Sequence, residues 1–278
     1  MRAPAARTLL RAAALAAAAA GAATAQTATE DTAEAPTEAP TETPIQAAFR
    51  DDFSRLDEAR WYVSDGWSNG DWMACTWSRR MIGLADGALT ISLAPTEAGS
   101  SDYLCGELQS NDLFHYGTYE ASIRTDVGSG VNAAFFTYIG PVHDQPHDEI
   151  DFEILTRNTR AVDVNTYNDG ESAQGTSVAL DVPTDSAFRT YSFVWEPERL
   201  RWFVDGELVH EATGPDLPDA PQKIFLSHWN SRTFTDWMGP FEDPGRPLTM
   251  AVDWVAFTPL GDGCRFEGSV LCVPGVEG

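Results

Sequence analysis

Positive charge is what this 278-residue chain has least of: 18 Lys and Arg face 42 Asp and Glu, the net charge is −24, and Lys223 is the only lysine. So anionic a surface repels phosphate, which argues against nucleic acid and anionic membranes as partners and leaves a neutral or cationic substrate. Cysteine is also scarce. The four that exist begin at Cys75, so no lipid-anchoring cysteine lies near the N-terminus, and none form a Cys-x2-Cys pair. His143 and His147 straddle Pro146, which breaks the helix that an i, i+4 ligand pair needs, so no catalytic metal is expected. The apolar run Ala12 to Ala20 is too short to span a bilayer. Beyond Phe49 no segment of twelve or more residues holds a 3.6-residue period.

The two ends do not read as domain sequence. Arg2, Arg7 and Arg11 precede the alanine-rich run, and Ala23-Thr24-Ala25 supplies small residues at a cleavage site, the order of a secretory signal over residues 1–25. Residues 26–46 are Thr, Glu, Ala and Pro with no aromatic residue, a composition with nothing to bury, expected to be a disordered linker. These 46 residues carry five acids and three arginines, so the remaining body, 47–278, still stands at −22. Hydrophobic residues at 43% with nine Trp give that body a core and rule out global disorder. Export to the periplasm or the extracellular medium permits disulfides. Of three pairings, the sequential one is expected: Cys75 with Cys105 joining two early strands, and Cys264 with Cys272 closing a short loop.

Short-period alternation marks strands at Ala88 to Leu93, Gly117 to Arg124 and Thr190 to Trp195, each bounded by turn residues. Asp205-Gly206 between the alternating arms Leu200 to Val204 and Glu207 to His210 is a hairpin signal. Many short strands and no helices predict an all-β fold, a two-sheet antiparallel sandwich of the jelly-roll, concanavalin-like kind, with its site on a concave sheet face or in the end loops.

The most specific stretch is His147-Asp148-Glu149-Ile150-Asp151-Phe152-Glu153-Ile154-Leu155. At period two, Glu149, Asp151 and Glu153 share one face of a strand while Ile150, Phe152 and Ile154 bury on the other. Like charges at neighbouring same-face positions disfavour one another's ionisation, an arrangement a chain rarely keeps for stability. Retaining glycoside hydrolysis needs two carboxyl groups about 5 to 5.5 Å apart. Residues i and i+4 on a strand are roughly 13 Å apart at Cα, a gap that two Glu side chains leaning inward on a concave sheet largely close. Glu149 is then the nucleophile, Glu153 the acid/base held protonated, and Asp151 the shorter group that keeps their ionisations distinct. A solvated acidic strand edge or a calcium site is the competing reading of such a trio.

From Phe49 to Phe257 the chain resembles glycoside hydrolase family 16, in its bacterial β-1,3-1,4-glucanase (lichenase) branch, whose E-I-D-x-E strand matches Glu149, Asp151 and Glu153 one for one. The resemblance implies a secreted, retaining endo-β-glucanase with a polysaccharide substrate and no cofactor required for catalysis. It implies substrate contacts from Trp67 and Asn69 in an early loop, the cleft carboxylate Glu107, Phe136 and Tyr138 on one cleft strand, and Asn165 and Tyr167 on another. Trp229 and Trp237 stand in a far-wall segment, and Cys75-Thr-Trp with Cys105-Gly-Glu resemble the halves of that branch's single disulfide. Sugar C–H faces stack on flat side chains, so Trp67, Trp229 and Trp237, flanked by small polar residues, are expected as exposed platforms. Trp195, Trp202 and Trp254 are expected in the core, and Phe136 fits either place.

Two departures fall on substrate-contacting positions: Gln109 where the branch has Arg, and His147 where it usually has Trp. A His there looks more like rhizobial exopolysaccharide depolymerases of the same family, which cut acidic β-glucans such as succinoglycan. A depolymerase or transglycosylase on such a polysaccharide is therefore the alternative, and a non-catalytic glycan-binding module a further one. The tail from Gly261 to Gly278 has no counterpart in the family pattern. Family members often hold one structural calcium, and Gly87 and Asp253 are the matching positions. A monomer is expected.

Overall fold

The computed structural model describes residues 46–97 and 101–278. The expected export signal, 1–25, and all but the last residue of the expected linker, 26–46, lie outside the described residues. In chain order the strands are β1 (Phe49–Asp51), β2 (Trp61–Val63), β3 (Cys75–Trp77), β4 (Ile82–Ala85), β5 (Ala88–Pro95), β6 (Tyr103–Ser110), β7 (Gly117–Thr125), β8 (Val131–Ile139) and β9 (Asp148–Leu155). They continue as β10 (Ala161–Asn168), β11 (Glu171–Ser172), β12 (Thr176–Ala179), β13 (Arg189–Glu196), β14 (Arg199–Val204), β15 (Glu207–Thr213), β16 (Lys223–Asn230) and β17 (Leu248–Pro259). Among the described residues the only α-helix is the single turn Thr235–Met238, and no helix is long and apolar enough to cross a membrane.

The strands form the two layers of an antiparallel jelly-roll sandwich. One sheet runs β2-β6-β16-β8-β9-β10-β12, with β11 on the far end of β10. The other runs β15-β14-β13-β7-β17, and β17 then pairs with β5 at its start and β1 further along. Strands β5 and β6 also pair with each other through Ala94 and Leu104, which ties the two layers at one corner, beside the parallel pair of β3 with β6.

The alternation read from sequence decides what lies between the layers. Ile150, Phe152 and Ile154 are fully buried against the facing sheet, where Phe152 meets Tyr191 edge-on at 5.4 Å. Asp205 and Gly206 both take positive φ (49° and 81°), as the two central residues of a tight hairpin turn must. Trp195 and Trp202 are in the core as expected. Trp254 is buried elsewhere: its neighbours Val255 and Phe257 face the core, and it faces outward under the Arg50 guanidinium, 4.4 Å from the ring centroid.

The tail packs on that same outer face. Val270 and Leu271 cover Val194 and Phe203, and the Val270 N–H donates to buried Glu120 at 2.7 Å. Both disulfides pair sequentially, Cys75 with Cys105 and Cys264 with Cys272. Cys75 and Cys105 are wholly buried across a separation of 30 residues. Replacing both with Ala lowers unfolding free energy by about 2 to 4 kcal/mol, the usual range for such a bridge. Urea denaturation of the oxidised protein and the double variant checks this, and an unchanged midpoint contradicts it.

Candidate active site

Strand β9 is the fifth of seven across the cleft-bearing sheet, and its register assembles the site. Glu149 stands opposite Tyr138 on β8 and Tyr167 on β10; Asp151 opposite Phe136 and Asn165; Glu153 opposite Ala134 and Asp163. Beyond β8 the same rows reach Lys223, Phe225 and Ser227 on β16, and then Gln109 and Glu107 on β6. Cross-strand partners share a face, so all of these point away from the core, into the concave side.

Strand β9 is fixed from behind and at its start. The Trp202 indole N–H reaches across the core to the Asp151 carbonyl at 3.1 Å. Buried Asp148 accepts backbone N–H groups from Asp169 at 3.1 Å, Asp219 at 3.0 Å and Ala220 at 3.1 Å.

The three carboxyls have different environments. Glu153 accepts a hydrogen bond from the Asn132 amide, and burial pushes its carboxyl up to about 8, with the charges of Glu149 and Asp163 adding to the push. Burial likewise raises Asp151 well above the usual carboxylate range, and the Glu149 and Glu153 carboxylates on either side add to it. Glu149 meets His147, whose Nε2 lies 2.6 Å from Glu149 Oε2. A proton-bearing acid and a neighbouring carboxylate on one face are the two groups that glycosidic bond cleavage through a covalent intermediate requires.

Around the trio, Phe136 stacks on Phe225 with centroids 4.9 Å apart, and half-buried Tyr138 and Tyr167 flank His147. Glu107 is nearly covered: Ser64 donates to it at 2.6 Å and the Gln109 amide at 3.4 Å, and burial raises its carboxyl to about 7. Trp67 is exposed, edge-on to Trp77, and Asn69 accepts from the Trp77 indole at 2.8 Å.

Trp229 is not the exposed platform expected. Only 8% of it is accessible, because Trp72 covers it edge-on at 5.1 Å and Phe234 and Trp237 close in around it. Trp237 is partly buried, its indole donating to Asp163 at 2.9 Å. Sequence reasoning missed Asn132, Asp163, Phe225 and Lys223 on this face, because each reaches it only through the register in which its strand pairs. Asp253 lies where a bulge interrupts the β17 to β7 ladder, and the pairing of Leu89 with Val252 brings the Gly87 turn alongside. The Asp253 carboxylate makes no hydrogen bond or ion pair among the described residues, and no group of three His, Cys, Asp or Glu side chains among them is arranged to hold a metal ion. An ion at that place would draw most of its ligands from backbone carbonyls.

A raised carboxyl costs stability at high pH. Glu153 keeps in the native state a proton that the unfolded chain releases near 4.5, so its contribution is full below that pH and is lost as pH rises towards about 8. Glu153→Gln is therefore expected to melt above wild type at pH 8 to 9 and close to it at pH 4. Parallel thermal melts decide this; equal shifts at both pH values contradict it.

The model of "Glycosyl hydrolases family 16" matches residues 69–256. An endo-1,3-1,4-beta-glycanase, ExoK, of Rhizobium meliloti (strain 1021) is 47% identical over 228 residues, covering 81% of this chain and 84% of that protein. A beta-glucanase of Bacillus subtilis (strain 168) is 34% identical over 212 residues, 76% of this chain and 86% of that one. Among solved structures, a prokaryotic beta-1,3-1,4-glucanase (lichenase) from a mouse hindgut metagenome superposes with TM-score 0.73 at 34% identity, over 77% of this chain and all of that one. The Bacillus licheniformis beta-glucanase gives TM-score 0.73 at 33% identity, over 77% and 98%.

Proposed function

Because the chain belongs to glycosyl hydrolase family 16, we propose that it is an endo-acting, retaining β-glucanase that hydrolyses β-1,3-1,4-linked glucan by double displacement. The observation that carries this reading is the single face of β9 on which Glu149, Asp151 and Glu153 alternate, with burial, reinforced by the charges of Glu149 and Asp163, setting Glu153 apart as the proton-bearing member against the opposing pull of the Asn132 amide.

A glucan chain passing between Glu149 and Glu153 runs across the strands, along the row of Gln109, Phe225, Phe136, Asp151 and Asn165. The stacked Phe136 and Phe225 rings offer an apolar floor for sugar C–H faces. Glu149 attacks the anomeric carbon while Glu153 gives its proton to the departing glycosidic oxygen, leaving a glycosyl ester on Glu149. Glu153, now a carboxylate, takes a proton from an incoming water as the ester bond breaks. Asp151, kept protonated by burial, donates a hydrogen bond towards Glu149 as charge returns to it. Two disulfides, together with the signal-like order of residues 1–25, support an oxidising compartment, periplasmic or extracellular, for a monomeric enzyme. A calcium ion held by the Asp253 carboxylate and the Gly87 carbonyl would brace the far sheet without entering the chemistry.

A second reading, a depolymerase or transglycosylase of a bacterial exopolysaccharide, is favoured by His147. The Gln109 amide is engaged with Ser64 at 3.2 Å and Glu107, so this position presents no cation to the substrate. Product analysis on mixed-linkage β-glucan, β-1,3-glucan and a succinoglycan-type polysaccharide separates the two. Short oligosaccharides from mixed-linkage glucan are expected, whereas cleavage of the acidic polysaccharide alone overturns the first reading in favour of the second.

Glu149→Gln and Glu153→Gln each abolish hydrolysis of mixed-linkage glucan in steady-state assays, and Asp151→Asn leaves weak activity; full turnover in either Gln variant contradicts the assignment. In the wild type, kcat/KM falls as pH rises through about 8, because the free enzyme then loses the Glu153 proton. Chelation with EDTA lowers Tm and leaves kcat at 25 °C unchanged if calcium binds at Asp253; Tm unaffected by both EDTA and added calcium contradicts that site.

A further inference from the structure

His147 is two residues before the nucleophile and on the same side of the chain, and it touches the nucleophile directly, Nε2 to Glu149 Oε2 at 2.6 Å. Three further contacts fix its ring. Tyr167 stacks on it with centroids 4.6 Å apart and planes 16° from parallel. Tyr138 meets it edge-on at 5.2 Å. Its own carbonyl accepts the Gly170 N–H at 2.9 Å, which pins the backbone at the mouth of β9. Tyr138 and Tyr167 are the two residues paired with Glu149 across the sheet, so imidazole and nucleophile are held by the same pair of side chains.

We infer that His147 is a positioning residue for Glu149, whose Nε2–H donates to the carboxylate oxygen that does not attack and thereby governs the second, deglycosylating step. The inference rests on the double-displacement reading above. In the covalent intermediate Glu149 is a neutral ester and accepts weakly. When water adds to the anomeric carbon, its proton passes to Glu153, the ester C–O bond breaks and the electron pair returns to Glu149. A hydrogen bond to the regenerating carboxylate is charge-assisted and strengthens along that coordinate. In the first step the same carboxylate loses charge, and the hydrogen bond gives no such help. His147 keeps its proton throughout, and its work is confined to release of the sugar.

The consequence is a specific split between rate constants. kcat/KM reports events up to the first chemical step, and kcat reports deglycosylation once that step limits. His147→Phe keeps a ring for Tyr167 to stack on and removes the donor. With mixed-linkage oligosaccharide substrates it is expected to lower kcat by about ten- to hundredfold, the size of a hydrogen bond to a charged group. KM falls with it and kcat/KM stays within a few-fold of wild type. Intact-mass spectrometry of the quenched variant, turning over a dinitrophenyl glycoside of a mixed-linkage trisaccharide, then finds the protein carrying one glycosyl adduct. His147→Gln, which restores an N–H donor, recovers much of kcat and loses the adduct.

A raised KM with reduced kcat/KM and no adduct in His147→Phe means that the imidazole only shapes the cleft, and the inference fails. Equal rates in the Phe and Gln variants also overturn it. Absence of any adduct in wild type and all variants, together with turnover by Glu149→Gln, points instead to failure of the double-displacement reading. Thermal melts of both variants separate loss of folding from loss of catalysis.

Discussion

Burial of Ile150, Phe152 and Ile154 is the constraint on which the rest depends. A strand has two sides, and once these three are committed to the space between the sheets the intervening residues have nowhere to point but into the cleft. Three acids on that side repel one another, and a register slip of one residue that would relieve them would expose the three apolar side chains to water and bury the acids. Core packing therefore holds in place an arrangement that electrostatics opposes, and burial, with the mutual repulsion adding to it, raises the carboxyls of Glu153 and Asp151.

The same logic extends outward from β9. Neighbouring strands deliver Asn132 and Asp163 to Glu153, and Tyr138 and Tyr167 to His147 and Glu149, so the two ends of the trio meet different surroundings. Asp163 adds negative charge where the protonated acid is needed, and is itself held by the Trp237 indole. Trp202 and Asp148 anchor the strand from the core side and from the loop that precedes β16. The outer face has its own device, a disulfide-closed tail that covers Val194, Phe203 and the buried Glu120, remote in the fold from the chemistry.

Local features were legible in the sequence. Alternation marked β5, β7, β9 and β13, Asp205-Gly206 marked the hairpin, and the acidic motif marked the site, since each depends on neighbours along the chain. The sequential disulfide pairing was legible too, once export was assumed. What depends on distant pairing was not. Nothing near Asn132 announces that it meets Glu153, because the register of β8 against β9 is settled by the whole sheet. Trp229 read as a platform because its sequence neighbours are polar, yet its cover, Trp72, comes from a loop more than a hundred residues earlier. Trp254 read as sandwich core and is buried on the opposite face, because a bulge at Asp253 shifts the alternation and Arg50 arrives from β1 to cover it.

The central claim is that Glu149 and then a water deprotonated by Glu153 attack the anomeric carbon in succession, so that its configuration is inverted twice. Proton NMR of a mixed-linkage glucan digest, recorded in the first minutes before mutarotation, tests it most directly. The account predicts that the β-anomer of the new reducing end appears first and the α-anomer grows in later. Initial release of the α-anomer would contradict it, since one inversion would mean that a water, and not Glu149, attacks the sugar.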